Sequence, residues 1–235
     1  MSAPVTPSWT TIDGSAGSHD AFLALPPAGR GPGLLLLQEI FGVNAHIRAV
    51  AEQYALDGFV VLAPDVFWQQ QKRLDIGYTP PDIQRGRALA LAADQAALQR
   101  DLADAAQALR ARPEVRGRGI GAVGYCMGGR LAYVAAATAG VDAAVAYYGG
   151  GIQDRLELAP RIACPMQFHY GALDAQIPPA AVDQVRAALA GKPAEVFVYE
   201  HAGHGFNCWA RGSYHAPSAA LAHGRTLQFF AERLF

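Results

Sequence analysis

The sequence has few charged residues and no concentration of positive charge. Asp, Glu, Lys and Arg make up 17% of the 235 residues, and apolar residues make up 51%, a balance that favours a compact globular protein over a disordered chain. Nineteen basic and twenty acidic residues give a net charge of −1. Because no dense basic run is present to neutralise several phosphates, a nucleic acid is not expected as a partner.

Cysteine is also scarce. The three cysteines, Cys126, Cys164 and Cys208, are too few and too far apart for a disulfide framework or a Cys-x-x-Cys metal site. They leave open only whether one of them is reactive, and the residues around each cysteine decide that.

Signals for membrane insertion and secretion are lacking as well. The longest apolar stretch, Leu131–Gly151, contains Asp142 and Gly140, so we expect a buried helix and strand there and no contact with a membrane. The segment Met1–Trp9 has no basic region followed by an apolar run. This predicts a cytoplasmic location.

Short apolar runs alternate with helical periodicity along the chain. Runs rich in Val, Leu, Ile, Phe or Tyr predict buried strands at Gly33–Gln38, Phe59–Ala63, Gly119–Gly124, Ala143–Tyr148, Pro165–Tyr170 and Ala194–Glu200. Apolar spacing and terminal Gly or Pro predict helices at Ile47–Tyr54, at Leu98–Leu109, after Cys126, at Pro179–Leu189 and from Pro217 to the C-terminus.

This alternation predicts an α/β fold. Strands joined by crossover helices indicate a single, mainly parallel, doubly wound sheet with helices on both faces, formed by residues 1–235 as one domain. An antiparallel ribbon is expected around Ala21–Leu25. The polar stretch Gln69–Gln84, which contains Pro80 and Pro81, is interpreted as a loop.

The most informative motif is Gly124-Tyr125-Cys126-Met127-Gly128-Gly129, between a predicted strand and a predicted helix. Small residues two positions before and two after a nucleophile are what a sharp strand-to-helix turn requires. The helix N-terminus favours a thiolate at Cys126, and the backbone N–H of Met127 would point at a developing oxyanion. We therefore predict Cys126 as the nucleophile.

An acid and a base are expected later in the chain, in that order. Asp174 follows a predicted strand, whereas its rival Asp183 falls inside a helix. His204 lies between two glycines that let its loop approach another backbone, while His201 directly abuts a strand end; we favour His204. A metal site at His201, His204 and Cys208 is the alternative, but the spacing matches no strong zinc signature.

Four segments together resemble the motif set of the dienelactone hydrolase family, and the resemblance covers nearly the whole chain. They are Gln38-Glu39-Ile40-Phe41-Gly42, Gly124-Tyr125-Cys126-Met127-Gly128-Gly129, Asp174 and His204-Gly205-Phe206. The resemblance implies an α/β-hydrolase fold and a cysteine hydrolase that opens the lactone ring of dienelactone, a carboxymethylenebutenolidase, in bacterial catabolism of chlorinated aromatic compounds.

The resemblance also implies roles for individual residues. Cys126 would be the nucleophile, His204 the base and Asp174 the residue that orients it. Glu39, by itself only a carboxylate at a strand end, would hydrogen-bond the resting thiol. Ile40 would contribute a backbone N–H to the oxyanion hole together with Met127.

Family members that act on dienelactone hold its carboxylate with two arginines. Cys208 stands at the second of these positions here. Arg211, three residues later, is the candidate replacement, and Arg85 or Arg87 is the candidate for the first position. Arginine suits bidentate recognition of a carboxylate, although each of these residues can equally be a surface arginine.

The expected function is hydrolysis of a small lactone or ester through a thioacyl enzyme, without a cofactor or a metal. The expected partner is a small-molecule substrate, and the expected assembly is a monomer or a small homo-oligomer. The alternatives are a broad-specificity esterase or thioesterase, a non-catalytic small-molecule binding protein of the same fold, and a redox-sensing cysteine.

Overall fold

The computed structural model describes residues 5–235, so the first four residues of the N-terminal segment considered above lie outside the described residues. The strands are β1 (Thr6–Gly14), β2 (Gly17–Leu25), β3 (Gly33–Leu37), β4 (Val60–Pro64), β5 (Ile120–Tyr125), β6 (Ala143–Tyr147), β7 (Met166–Gly171) and β8 (Ala194–Tyr199). The α-helices are α1 (Ala45–Leu56), α2 (Pro80–Ala92), α3 (Gln95–Ala111), α4 (Met127–Thr138), α5 (Pro179–Ala188) and α6 (Ala216–Leu234).

The predicted α/β sheet is confirmed. Eight strands form one sheet in the order β1-β2-β4-β3-β5-β6-β7-β8, and every pair from β4 to β8 along this order is parallel. The six predicted strands correspond to β3 to β8, with ends that differ by at most one residue. The expected ribbon is the antiparallel hairpin of β1 and β2, whose β2 also pairs antiparallel with β4. Strand β1, which is polar and largely exposed, had no apolar run by which to be predicted.

Helices cover both faces of this sheet. A Cβ added at Gly33 would contact Leu109 of α3, whereas one added at Gly121 would contact Phe230 and Leu234 of α6. Gly33 is in register with Ile120, the neighbour of Gly121. Since successive residues of a strand point to opposite faces, α3 and α6 lie on opposite sides, as the doubly wound prediction requires.

The prediction that Gln69–Gln84 is a loop is wrong at its C-terminal end, because α2 begins at Pro80. The two prolines stand in the first turn of the helix, where a backbone N–H would have no intrahelical acceptor, so that its absence in proline costs nothing there. Thr79 and Asp82 form a capping box in front of them: Asp82 N–H donates to Thr79 Oγ1, and Thr79 N–H donates to Asp82 Oδ2. A 3-10 helix over Gln153–Arg161 was not predicted either.

Helix α2 packs against the segment that follows β3. Gly86 is its buried residue, and a Cβ there would overlap the carbonyl oxygen of Ile40. The absence of a side chain at Gly86 therefore lets α2 approach the loop that carries Glu39 and Ile40. Among the helices of residues 5–235, none is long and apolar enough to cross a membrane.

Candidate active site

Cys126 occupies a strained turn between β5 and α4. Its backbone has φ 55° and ψ −116°, a conformation that non-glycine residues rarely adopt and that is common at functional turns. The flanking glycines make the turn possible: a Cβ at Gly124 would overlap the Gly128 carbonyl oxygen, and a Cβ at Gly128 would overlap the Leu37 carbonyl oxygen. The geometry predicted for a nucleophile elbow is thus present.

Three side chains form a chain of contacts at this turn. His204 Nε2 lies 3.1 Å from Cys126 Sγ, and His204 Nδ1 lies 2.8 Å from Asp174 Oδ2. The other carboxylate oxygen of Asp174 accepts a hydrogen bond from the backbone N–H of Gln176 at 2.9 Å, which holds the carboxylate in place. The three residues come from loops after β5, β7 and β8, at the carboxyl edge of the sheet where ligands bind in this class of fold.

His204, and not His201, reaches the thiol. Its ring packs at a tilt against that of Tyr148, with ring centroids 5.2 Å apart, and its loop continues through Gly205 at φ 80°. His201 is exposed, and its ring lies 6.3 Å from that of His215.

The surroundings of His204 favour its protonated form. Burial opposes a charge on the imidazole, but the hydrogen bonds to Asp174 and Cys126 outweigh it and raise the pKa of His204 to about 10. A proton on His204 Nε2 would point at Cys126 Sγ, which lies 3.1 Å away.

Glu39 is placed differently from what the resemblance implies. Its side chain is 1% exposed, and its Oε1 accepts a hydrogen bond from Arg211 at 3.1 Å, while its Oε2 has no hydrogen-bond partner among residues 5–235. The expected hydrogen bond between Glu39 and the thiol is therefore not formed; the thiol contacts His204 instead. Burial raises the pKa of Glu39, and the nearby Arg211 opposes that shift.

The two backbone N–H groups expected in an oxyanion hole belong to residues at the thiol. Ile40 and Met127 line the same cavity as Cys126, and neither N–H donates a hydrogen bond to another residue of the described chain. Unpaired N–H donors are what an oxyanion hole requires, so the roles of Ile40 and Met127 stay predictions that this arrangement supports.

A cavity of about 360 Å³ opens above Cys126 and His204. Of the three predicted arginines, Arg87 lines it, and Arg85 and Arg211 do not. Arg85 donates to Gln71 Oε1 at 2.7 Å on the surface, and Arg211 is bound to Glu39 over the rings of Phe41 and Tyr78. Long-range neighbours, not sequence position, decide where these two arginine side chains lie, and their binding of a substrate carboxylate stays a prediction.

Arg130 and Gln176, which the sequence reasoning missed, also line the cavity. Arg130 follows Cys126 by four residues; side chains so spaced share one face of a helix, and this spacing was the signal available in the sequence. No group of three His, Cys, Asp or Glu side chains within residues 5–235 is arranged to hold a metal ion.

Known proteins resemble this chain over nearly its full length. Residues 19–234 match the model of the dienelactone hydrolase family. Carboxymethylenebutenolidases of Pseudomonas sp. strain P51 and of Pseudomonas putida are each 35% identical to it, over 222 and 215 residues, which cover 93% and 90% of this chain and 92% and 90% of theirs. The crystal structure of a dienelactone-hydrolase-like protein from Klebsiella pneumoniae superposes with a TM-score of 0.88 at 30% identity, covering 97% of this chain and 99% of that one. The chain therefore belongs to the dienelactone hydrolase family and is an ester or lactone hydrolase.

Proposed function

We propose that the protein opens a small lactone, or cleaves a small ester, through a thioacyl intermediate on Cys126. The observation that carries the proposal is the contact chain from Asp174 through His204 to a strained Cys126 at the cavity floor. Nucleophile, base and orienting acid in hydrogen-bond reach of one another are the signature of covalent acyl transfer.

The contacts support the following steps. The thiolate of Cys126 adds to the substrate carbonyl carbon, and the N–H groups of Ile40 and Met127 stabilise the resulting oxyanion. When the intermediate collapses, the bond from carbon to the leaving oxygen breaks and His204 gives its proton to that oxygen. A water molecule, deprotonated by the now neutral His204, attacks the thioester carbon. The carbon–sulfur bond then breaks, so that the acid is released and the thiolate of Cys126 is restored beside protonated His204.

Two observations support a small lactone as the substrate. The relatives named above are carboxymethylenebutenolidases, and a cavity of about 360 Å³ is at the small end of ligand pockets. Four statements stay predictions: that the protein opens a dienelactone, that it acts in the catabolism of aromatic compounds, that it is cytoplasmic, and that it is a monomer or a small homo-oligomer.

The test is a panel of lactones, including dienelactone, and of aryl esters and thioesters, with intact mass measured after acid quenching. We expect a mass increase equal to the acyl group on the wild type and none on Cys126→Ala, which should also lose at least about 1,000-fold in turnover. Cys126→Ser should fail badly too, because a hydroxyl is far less acidic than a thiol.

Cys164→Ala is the matched control, since Cys164 lies in the loop before β7 and does not line the cavity. It should hydrolyse the panel at the wild-type rate. Hydrolysis by Cys126→Ala within about tenfold of the wild type would refute the thioacyl mechanism. If simple aryl esters or thioesters are turned over faster than every lactone, the substrate is a small ester or thioester and not a lactone.

A further inference from the structure

We propose that Arg130, which stands at neither of the two arginine positions implied by the resemblance, forms an anion subsite beside the nucleophile and holds a carboxylate of the ester or lactone substrate. This inference rests on the proposed hydrolase function and adds to it a residue that selects the substrate. It follows from the position of the guanidinium, from its lack of partners and from the backbone around it.

The position of Arg130 is set by the elbow. It lies in the first turn of α4, and its backbone N–H donates to the carbonyl oxygen of Cys126 at 3.3 Å. Its side chain lines the same cavity as Cys126 and His204. A carboxylate bound there would place the rest of a small molecule within reach of the thiol, because both groups belong to one cavity.

Arg130 has no partner in the described chain, unlike the arginines around it. Within residues 5–235 its guanidinium makes no ion pair and no hydrogen bond, and its buried Nε is unsatisfied. Arg155 by contrast pairs with Glu157, and Arg211 pairs with Glu39. A part-buried guanidinium without an acceptor is costly, and an anionic ligand relieves that cost with a charge-assisted, bidentate contact.

The electrostatic surroundings of Arg130 support an anion subsite. Burial lowers the pKa of Arg130, and the neighbouring Arg155 adds to this shift, while Cys126 and Asp154 oppose it. The lowering reflects a cation that has lost water without gaining a full counter-charge. Asp154 forms no ion pair with it, so a ligand carboxylate does not have to displace a bound side chain.

The backbone opposite Arg130 is shaped to leave it room. Gly151 has φ 82°, and a Cβ there would lie 2.8 Å from Arg130 Nη1. Gly150 and Gly151 line the cavity together with Arg130, and neither carries a side chain that would take up space there. Arg87 also lines the cavity but is exposed on α2, where solvent weakens its attraction for an anion.

The first experiment compares two p-nitrophenyl esters of equal length, the mono-ester of glutaric acid and the ester of pentanoic acid. They differ only in a terminal carboxylate or methyl group. For the wild type we expect kcat/KM to be at least about tenfold higher for the glutarate ester, and in Arg130→Met we expect that preference to be lost, mainly through KM. Arg130→Lys should recover part of it, because it keeps the charge but not the planar fork.

Arg161→Met is the matched control, because Arg161 is an exposed arginine at the end of the 3-10 helix and does not line the cavity. It should keep the wild-type ratio. A ratio unchanged within about twofold in Arg130→Met would overturn the proposal, and so would loss of the preference in Arg87→Met alone.

A second measurement separates the subsite from the proposed activity. Iodoacetamide labelling of Cys126 requires no turnover, and glutarate bound at Arg130 should slow that labelling. At constant ionic strength we expect glutarate to protect Cys126 of the wild type at about one-tenth of the concentration at which the neutral glutaramide does so. Protection without hydrolysis of either ester would count against the proposed cleavage of small esters through Cys126 but would keep the subsite. Equal protection by glutarate and glutaramide would refute the subsite even if Arg130→Met did not fold.

Discussion

The ion pair between Glu39 and Arg211 allows a test that depends on pH. Arg211→Gln removes the hydrogen bond that the Glu39 carboxylate receives within residues 5–235 and leaves a side chain that is 1% exposed. Breaking a buried pair in this way costs about 3–5 kcal/mol in general. The cost should be smaller here, because the Arg211 side chain is 18% exposed and the Glu39 carboxyl can take up a proton. We therefore expect a loss of about 2 kcal/mol in the free energy of unfolding near neutral pH.

The direction of the pH dependence follows from the pKa of Glu39. Burial raises that pKa in the folded protein, and Arg211 opposes the rise; without Arg211 the folded-state pKa increases further. A carboxyl whose folded pKa is raised stabilises the fold fully below its unfolded pKa, and this contribution is lost as the pH rises through the folded value. The penalty of Arg211→Gln should therefore be smaller at about pH 4 than at about pH 8.

The assay is urea unfolding of four proteins at both pH values: wild type, Glu39→Gln, Arg211→Gln and the double variant. The double variant should recover most of the loss, because it no longer buries an unpaired charge. Arg161→Gln serves as the exposed control and should change stability by less than about 0.5 kcal/mol. A penalty of the same size at both pH values, or a double variant as unstable as Arg211→Gln, would refute the reasoning.

Three further predictions concern the elbow and its partners. His204→Ala should lower kcat/KM by at least about 100-fold and the exposed His201→Ala by less than about threefold; equal losses in steady-state assays would contradict the choice of His204. Gly128→Ala should cost about 2 kcal/mol or more, seen as a fall of roughly 4–8 °C in Tm by calorimetry, because its Cβ would overlap the Leu37 carbonyl oxygen; an unchanged Tm would show that β3 and α4 can separate. Asp174→Asn should lower the pKa of His204 from about 10, since a carboxylate that stabilises the imidazolium is lost; an imidazole NMR titration that does not move would exclude that role.

Much of the fold follows from local pattern. Apolar runs of strand length separated by helical periodicity predict β3 to β8 and five of the six helices, because burial on both faces requires such runs and crossover helices follow from parallel pairing. The elbow can be predicted in the same way, because Gly124 and Gly128 stand two positions before and two after Cys126, where the sharp turn leaves no space for a side chain. The choice of His204 over His201 also rested on neighbouring glycines.

The partners of the charged side chains could not be predicted in this way. Glu39 and Arg211 are 172 residues apart in sequence, and nothing local shows that they pair or that Arg85 turns to Gln71. The start of α2 was missed because Pro80 and Pro81 serve equally in a loop and in the first turn of a helix, and only Thr79 and Asp82 together distinguish the two. Periodicity and turn chemistry act over a few residues, so they determine the strands, the helices and the elbow. The pairing of cations with carboxylates depends on packing between distant segments, and only the tertiary structure decided it, including that Arg130 pairs with no carboxylate in the described part of the chain.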